Sequence, residues 1–318
     1  MINVREIAEK AGVSPSTVSN VLNGKKNVSA QTRETIIALC NELGYSHAAK
    51  TRHSRDNKTI AFIFSDFDRS FYLEIIKGIN QCLTENGYDL IICTNTSSSQ
   101  FMKEKYTIGA ICLDEKMTNE QLNITANEHY PVVVMDRILH HEYIKSVIVD
   151  NYPVMKELVL ALIKKGYRRF GYLGGIEETL DNIERFKAFQ NALDESGIQF
   201  NKRFHLHGDY REKSGYQAAH MMLLSGNMPQ ILVCASDNMA IGAMRALKDH
   251  GYIVPRDIAV TGFDNISAAA SVGLTTISIP RYENGYLAAK ELLAMITEEQ
   301  FGGPIKLRAT IKWRETTV

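Results

Sequence analysis

Three small polar side chains, Ser16, Thr17 and Asn20, share one face of a short helical stretch in AGVSPSTVSNVLN, with no charge among them. Such groups suit base edges in a DNA major groove, where an asparagine amide pairs bidentately with adenine and a threonine methyl meets that of thymine. A second polar set recurs much later, each pair just after an apolar run: Ser65-Asp66, Asp136-Arg137, Gly174-Gly175, Ser236-Asp237 and Phe263-Asp264. Several carboxylates and hydroxyls around one cleft suit the hydroxyls of a sugar or nucleoside better than an anion. The bland alternatives are a solvated helix face for the first set and helix caps for the second. Recurrence at corresponding places favours binding.

The elements that must hold the first set are short helices. Val4, Ile7, Ala8 and Ala11 recur at helical spacing between Asn3, an N-cap, and Gly12, a C-terminal stop. Ser14-Pro15 starts a second helix, whose apolar stripe of Val18, Val21 and Leu22 ends at Asn23-Gly24. A turn at Gly12-Val13 crosses the two and faces Ser16, Thr17 and Asn20 outward, as in a helix-turn-helix. Ser29 opens a third helix, whose Ile36, Ile37, Leu39 and Leu43 complete a small core.

The elements that must hold the second set are strands. From Thr59, the runs TIAFIFSD, YDLIICTN, IGAICLDE and PVVVMDR alternate with helical stretches such as FYLEIIKGINQCLTENG, and the theme restarts after Asp150. This pattern predicts an α/β body in two halves with parallel doubly wound sheets, and ligands beyond the carboxyl ends of the strands.

Composition narrows the classes. The 318 residues carry zero formal net charge, yet residues 1–58 hold nine Lys/Arg against five Asp/Glu, leaving a basic head on an acidic body. Five widely spaced cysteines without a CxxC pair point to free thiols in a reducing cytoplasm. Charges fill MINVREIAEKAG where a signal peptide needs apolar residues, and no later run approaches the roughly 20 residues of a membrane span. His140-His141 and His205-x-His207 lack further ligands at metal spacing, and GYLGGIEE is no nucleotide fingerprint. No catalytic constellation, metal or cofactor is expected.

REIAEKAGVSPSTVSNVLNGKKNVSAQTRETIIALCNELGY resembles the DNA-binding head of the LacI/GalR (lactose-repressor) regulators. The body resembles their effector domain, itself similar to periplasmic sugar-binding proteins, through ELVLALIKKGYRRFGYLGG, ERFKAF, CASDNMAIGAMRAL, IAVTGFDN and LTTISIPRYENGYLAAKELL. The resemblance implies a head over 1–45, a basic hinge over 46–58, and a two-lobed effector-binding and dimerisation domain over 59–318. Its first lobe would span about 59–149 plus 282–300, its second 150–281 plus 301–318.

It further implies a homodimer on a pseudo-palindromic operator, with half-sites about 34 Å apart. Ser16, Thr17 and Asn20 would read bases, and Ser19, Asn23, Ser29 and Thr32 would position phosphates. In the cleft, Arg185 would grip ligand hydroxyls or a carboxylate, Asp136 and Asp264 would accept sugar hydroxyls, Phe71 or Tyr72 would form one wall and Tyr210 a facing one. Asp66 and Ser236 complete the expected effector set. The expected function is a cytoplasmic, nucleoid-associated repressor of a carbohydrate operon under a sugar-like effector; the alternatives are a protein corepressor or a non-sugar metabolite such as a nucleobase.

Three departures stand out. Asn20 replaces an arginine common at its position, and Ser236 replaces the usual asparagine. In the connector YSHAAKTRHSRDNK, which matches the family's xPNxxARxL hinge, the proline is His47, the asparagine Ala48 and the wedge leucine Ser54. Lys50, Arg52 and Arg55 keep the charge that tracks phosphates, but the apolar wedge that opens a base step is gone.

Overall fold

The computed structural model describes residues 4–22, 25, 28–43, 58–65, 71–94, 98, 106–297 and 303–317, and the chain divides between residues 57 and 58 into two units. The smaller unit contains α1 (Val4–Ala11), α2 (Pro15–Leu22) and α3 (Ala30–Glu42). Helix α1 stops where Gly12 takes a φ of 65°, a left-handed value that favours glycine. Thr17 N–H donates to Ser14 Oγ at 3.2 Å, and Thr32 N–H to Ser29 Oγ at 3.2 Å, so the predicted caps at Ser14 and Ser29 form, while Asn3 lies outside the described residues. Arg33 of α3 donates to the carbonyls of Val21 (3.3 Å) and Lys25 (2.5 Å), satisfying acceptors at the end of α2 and tying the two helices together.

Ile7, Ala8, Val18, Val21, Ile36 and Cys40 form the core of this unit. Ile37, expected to join them, is 46% exposed. Ile36 and Cys40 are four residues apart and share a face, whereas Ile37 points a third of a turn away.

In the larger unit the order is β1 (Thr59–Phe64), α4 (Tyr72–Glu85), β2 (Asp89–Thr94), β3 (Ala110–Leu113), α5 (Asn119–Thr125), β4 (Val132–Val134), β5 (Ile144–Val149), α6 (Asn151–Lys164), β6 (Phe170–Gly174), α7 (Leu180–Glu195) and β7 (His205–His207). Then follow α8 (Glu212–Leu224), β8 (Ile231–Cys234), α9 (Asp237–Asp249), β9 (Ala259–Asp264), α10 (Ser267–Ser271), β10 (Thr275–Ser278), α11 (Arg281–Ile296), β11 (Ile305–Leu307) and β12 (Thr310–Lys312). Two six-stranded sheets result, ordered β11-β5-β4-β3-β1-β2 and β12-β10-β9-β8-β6-β7. Apart from its last strand, each repeats one doubly wound order, and all pairings are parallel except β10 with β12. Central strands such as β4 and β8 are buried along their whole length, which explains their unbroken apolar runs.

The division of the C-terminal segment differs from expectation. Strand β11 pairs with β5, Ile305 opposite Val147 and Leu307 opposite Val149, so 305–307 belong to the first lobe. Only β12 returns to the second lobe, antiparallel to β10. Both are three-residue edge strands alternating apolar and polar residues, a pattern that does not specify which sheet they join.

Each lobe also contains a close crossing of two helices at paired glycines. A Cβ on Gly78 of α4 would lie 2.0 Å from the Tyr282 carbonyl oxygen of α11, and one on Gly285 2.1 Å from that of Ile75. In the second lobe, a Cβ on Gly242 of α9 would lie 2.0 Å from the Glu212 oxygen of α8. Among the described residues, no helix is long and apolar enough to cross a membrane.

Candidate nucleic-acid interface and interlobe cleft

On α2, Ser16 is exposed, and Thr17, Ser19 and Asn20 are half-buried. Ser14 Oγ shares hydrogen bonds with Ser16 Oγ (2.7 Å) and Thr17 Oγ1 (2.8 Å). A hydroxyl has one donor and two acceptor sites, so each keeps capacity for a base while the cap holds its direction. Ser29 and Thr32 are joined at 2.7 Å at the start of α3, where unpaired backbone N–H groups suit a phosphate. Asn23, Lys50, Arg52 and Arg55 lie outside the described residues, as do Ser54 and Asp66.

Beyond the carboxyl ends of the two sheets lies a cavity of about 410 Å³, lined by Phe71, Tyr72, Asp136 and Arg137 from the first lobe and Thr179, Asp181 and Tyr210 from the second. The structure thus brings Phe71, Tyr72, Asp136 and Tyr210 together as expected lining groups. The Tyr72 hydroxyl bonds with Ser65 Oγ at 2.9 Å, and its ring centroid is 4.4 Å from that of Phe71. Tyr210 adopts a φ of 68°, and its hydroxyl bonds with Thr179 Oγ1 at 3.0 Å. A Cβ on Gly175 would lie 2.1 Å from the Tyr210 ring, so Gly175, just after β6, makes room for that wall.

Burial pushes the Asp136 carboxyl up from its ordinary range, and Arg137 opposes this with bonds of 3.0 and 2.6 Å to its two oxygens. Arg137 also donates to the carbonyls of Met117 (2.7 Å) and Asp114 (2.8 Å), which fixes the pair in place.

Three expected effector groups sit elsewhere. Arg185 is 2% exposed and fully engaged: its guanidinium donates to Asn151 Oδ1 (3.0 Å), the Ala235 carbonyl (2.7 Å) and Asp181 Oδ2 (3.2 Å), and stacks 3.7 Å from the Phe263 ring centroid. It lies behind the wall and holds Asp181, one helical turn before it, at the cavity. Ser236 is the buried N-cap of α9, its Oγ accepting from Met239 N–H at 3.3 Å. Asp264 faces a neighbouring cavity of about 490 Å³, where its carboxylate is ion-paired with Arg281. Asp264 and Asn265 both have positive φ, 114° and 54°, a strained turn at the end of β9.

Sequence reasoning missed Arg281 and Asp181. Arg281 follows the apolar run LTTISIP just as the other strand-end residues follow theirs, and that signal could have found it. Asp237 is fully buried beneath the cleft, accepting from Thr276 Oγ1 (2.5 Å) and Ile266 N–H (2.9 Å). Burial, with Asp264 nearby, pushes its carboxyl up to about 7.

Three short helices built as a helix-turn-helix, followed in the chain by two doubly wound lobes around a cleft, define a class: DNA-binding regulators with a ligand-binding body. Residues 3–47 match the bacterial regulatory proteins of the lacI family, and residues 159–317 the periplasmic binding protein-like domain. Catabolite control protein A of Priestia megaterium is 29% identical over 99% of each chain. The HTH-type transcriptional repressor PurR of Pectobacterium atrosepticum is 30% identical over 94% of this chain and 92% of its own. The transcriptional regulator CelR, solved as a cellobiose complex, superposes with a TM-score of 0.75 at 26% identity over 99% of this chain and 100% of its own. The chain belongs to the LacI family; it is a DNA-binding transcriptional regulator and not an enzyme.

Proposed function

We propose that this regulator is a cytoplasmic, nucleoid-associated repressor of a carbohydrate-utilisation operon. It binds a pseudo-palindromic operator as a homodimer and responds to a sugar or sugar derivative held between its lobes. The observation that carries the reading is the 410 Å³ cleft, in which Asp136 and Asp181 offer acceptors to hydroxyls and Phe71 and Tyr210 offer ring faces to a carbon skeleton. The likeness to a regulator solved with cellobiose supports the same ligand class. Ser16, Thr17 and Asn20 read base edges.

The dimer reading rests on apolar surface left on the body. Ile91 and Ile92 are exposed on the edge strand β2, and Ile253 and Val272 are exposed around a groove that also holds Met244 and Tyr252. Selection of binding sites from random duplexes, followed by titration of candidate sugars against the selected operator, tests the function. A palindromic consensus whose affinity shifts with one compound is the expected result; no consensus, or no responsive compound, overturns it.

A further inference from the structure

Three carboxylates at the two cavities are each matched by a guanidinium: Asp136 by Arg137, Asp181 by Arg185, and Asp264 by Arg281. The first two arginines are spent on their surroundings, Arg137 on two backbone carbonyls and Arg185 on three acceptors and a ring. Arg281 is different. It is the first residue of α11, on the segment that crosses from β10 of the second lobe to the first. Its guanidinium stacks 4.3 Å from the Phe71 ring centroid and bonds Asp264 through Nη2 alone, while its Nε–H is buried without an acceptor. A buried donor with no partner calls for a missing oxygen. Arg281 and Phe71 line both the 410 and the 490 Å³ cavities, so this donor sits at their junction.

The second cavity offers an acid two guanidinium groups, Arg281 and Arg308. Of the carboxylates that also line it, Asp264 is ion-paired with Arg281 and Glu74 with Lys77 at 2.7 Å. Bonds from a guanidinium to an ionised oxygen are roughly twice as strong as neutral ones. We propose that Arg281 is a specificity-determining residue and that the effector carries an anionic oxygen group, carboxylate or phosphate, beside its hydroxyls. The acidic group meets Arg281 at the junction with Arg308 beyond it, and the hydroxylated body occupies the cavity of Asp136, Asp181 and Tyr210. The inference rests on the reading of the cleft as the effector site, and it replaces the plain sugar suggested by the carboxylates alone.

The test uses the full chain without DNA and matched probes: glucose, glucuronate and glucose 6-phosphate, then ribose and ribose 5-phosphate. Thermal shift and calorimetry should give one acidic probe at least tenfold tighter than its neutral counterpart, and glucuronate against glucose 6-phosphate separates carboxylate from phosphate. Arg281→Gln should abolish that preference, and Arg281→Lys should recover part of it, which a purely structural role would not do. Equal binding of neutral and acidic partners, retained preference in Arg281→Gln, or no acidic probe binding the unmodified protein overturns the proposal. Operator affinity measured with the same probe separates the two claims: a probe bound through Arg281 that leaves operator affinity unchanged sinks the effector reading and not the assignment of Arg281.

Discussion

Asn20 presents a two-ended amide on the outer side of α2, where relatives with arginine would offer five donors and no acceptor. An amide discriminates adenine, a guanidinium guanine, so under the proposed function the residue sets one position of the half-site. Asn20→Ala should relax preference there by about 1–3 kcal/mol, read as a flattened column in a selected binding motif. Asp237 makes a prediction about acidity. Its carboxyl titrates near 7 in the fold but near the ordinary 3.8 when unfolded. Between those values the unfolded state releases a proton that the folded state keeps, so stability falls as pH rises from about 4 to about 7 and then levels. Asp114, Asp136 and Glu184 are shifted the same way, so the contrast with a variant isolates the one group. Melting temperature against pH should fall less steeply for Asp237→Asn than for the unmodified protein.

At the scale of elements, the glycine crossings are the sharpest constraint. Helices α4 and α11 approach until backbone meets backbone, so Gly285→Val has no rotamer that avoids the Ile75 carbonyl. The substitution should cost more than the roughly 1–3 kcal/mol of ordinary overpacking, seen as a lowered urea midpoint. The connector makes the opposite kind of prediction, from a side chain that is too small. With Ser54 in place of a wedge leucine, unstacking a base step, at about a few kcal/mol, goes uncompensated. Ser54→Leu should therefore increase operator bending in an energy-transfer assay, and a sharply bent operator with the unmodified protein would mean that another residue is the wedge.

For the whole molecule, the exposed apolar residues of the body predict its assembly. Ile253 and Val272 flank one groove, and burying such a patch against a second copy removes its apolar area from water. Light scattering at micromolar concentration should give a dimer, and Ile253→Glu should shift it toward monomer and weaken operator binding, because two half-sites are then no longer held by one particle. A dimer unaffected by Ile253→Glu would move the interface elsewhere on the body.

What the amino-acid order settled by itself was local. Caps at Ser14 and Ser29, the stop at Gly12 and the stripe of Val18 and Val21 specify three helices, because each signal acts within a turn or two of chain. Unbroken runs such as PVVV and ILVC specify buried parallel strands, because a strand covered on both faces must be apolar on both. The tertiary structure decided which strand-end groups meet the cleft and with which partners. Arg185 and Ser236 follow the right motifs yet face inward, one to carbonyls and one to a helix end, while Arg281 reaches back seventeen positions to Asp264. Period and spacing tell which face of an element a side chain occupies; what stands across from that face is set by how the elements pack, and the pairing of Arg281 with Asp264 is a property of that packing.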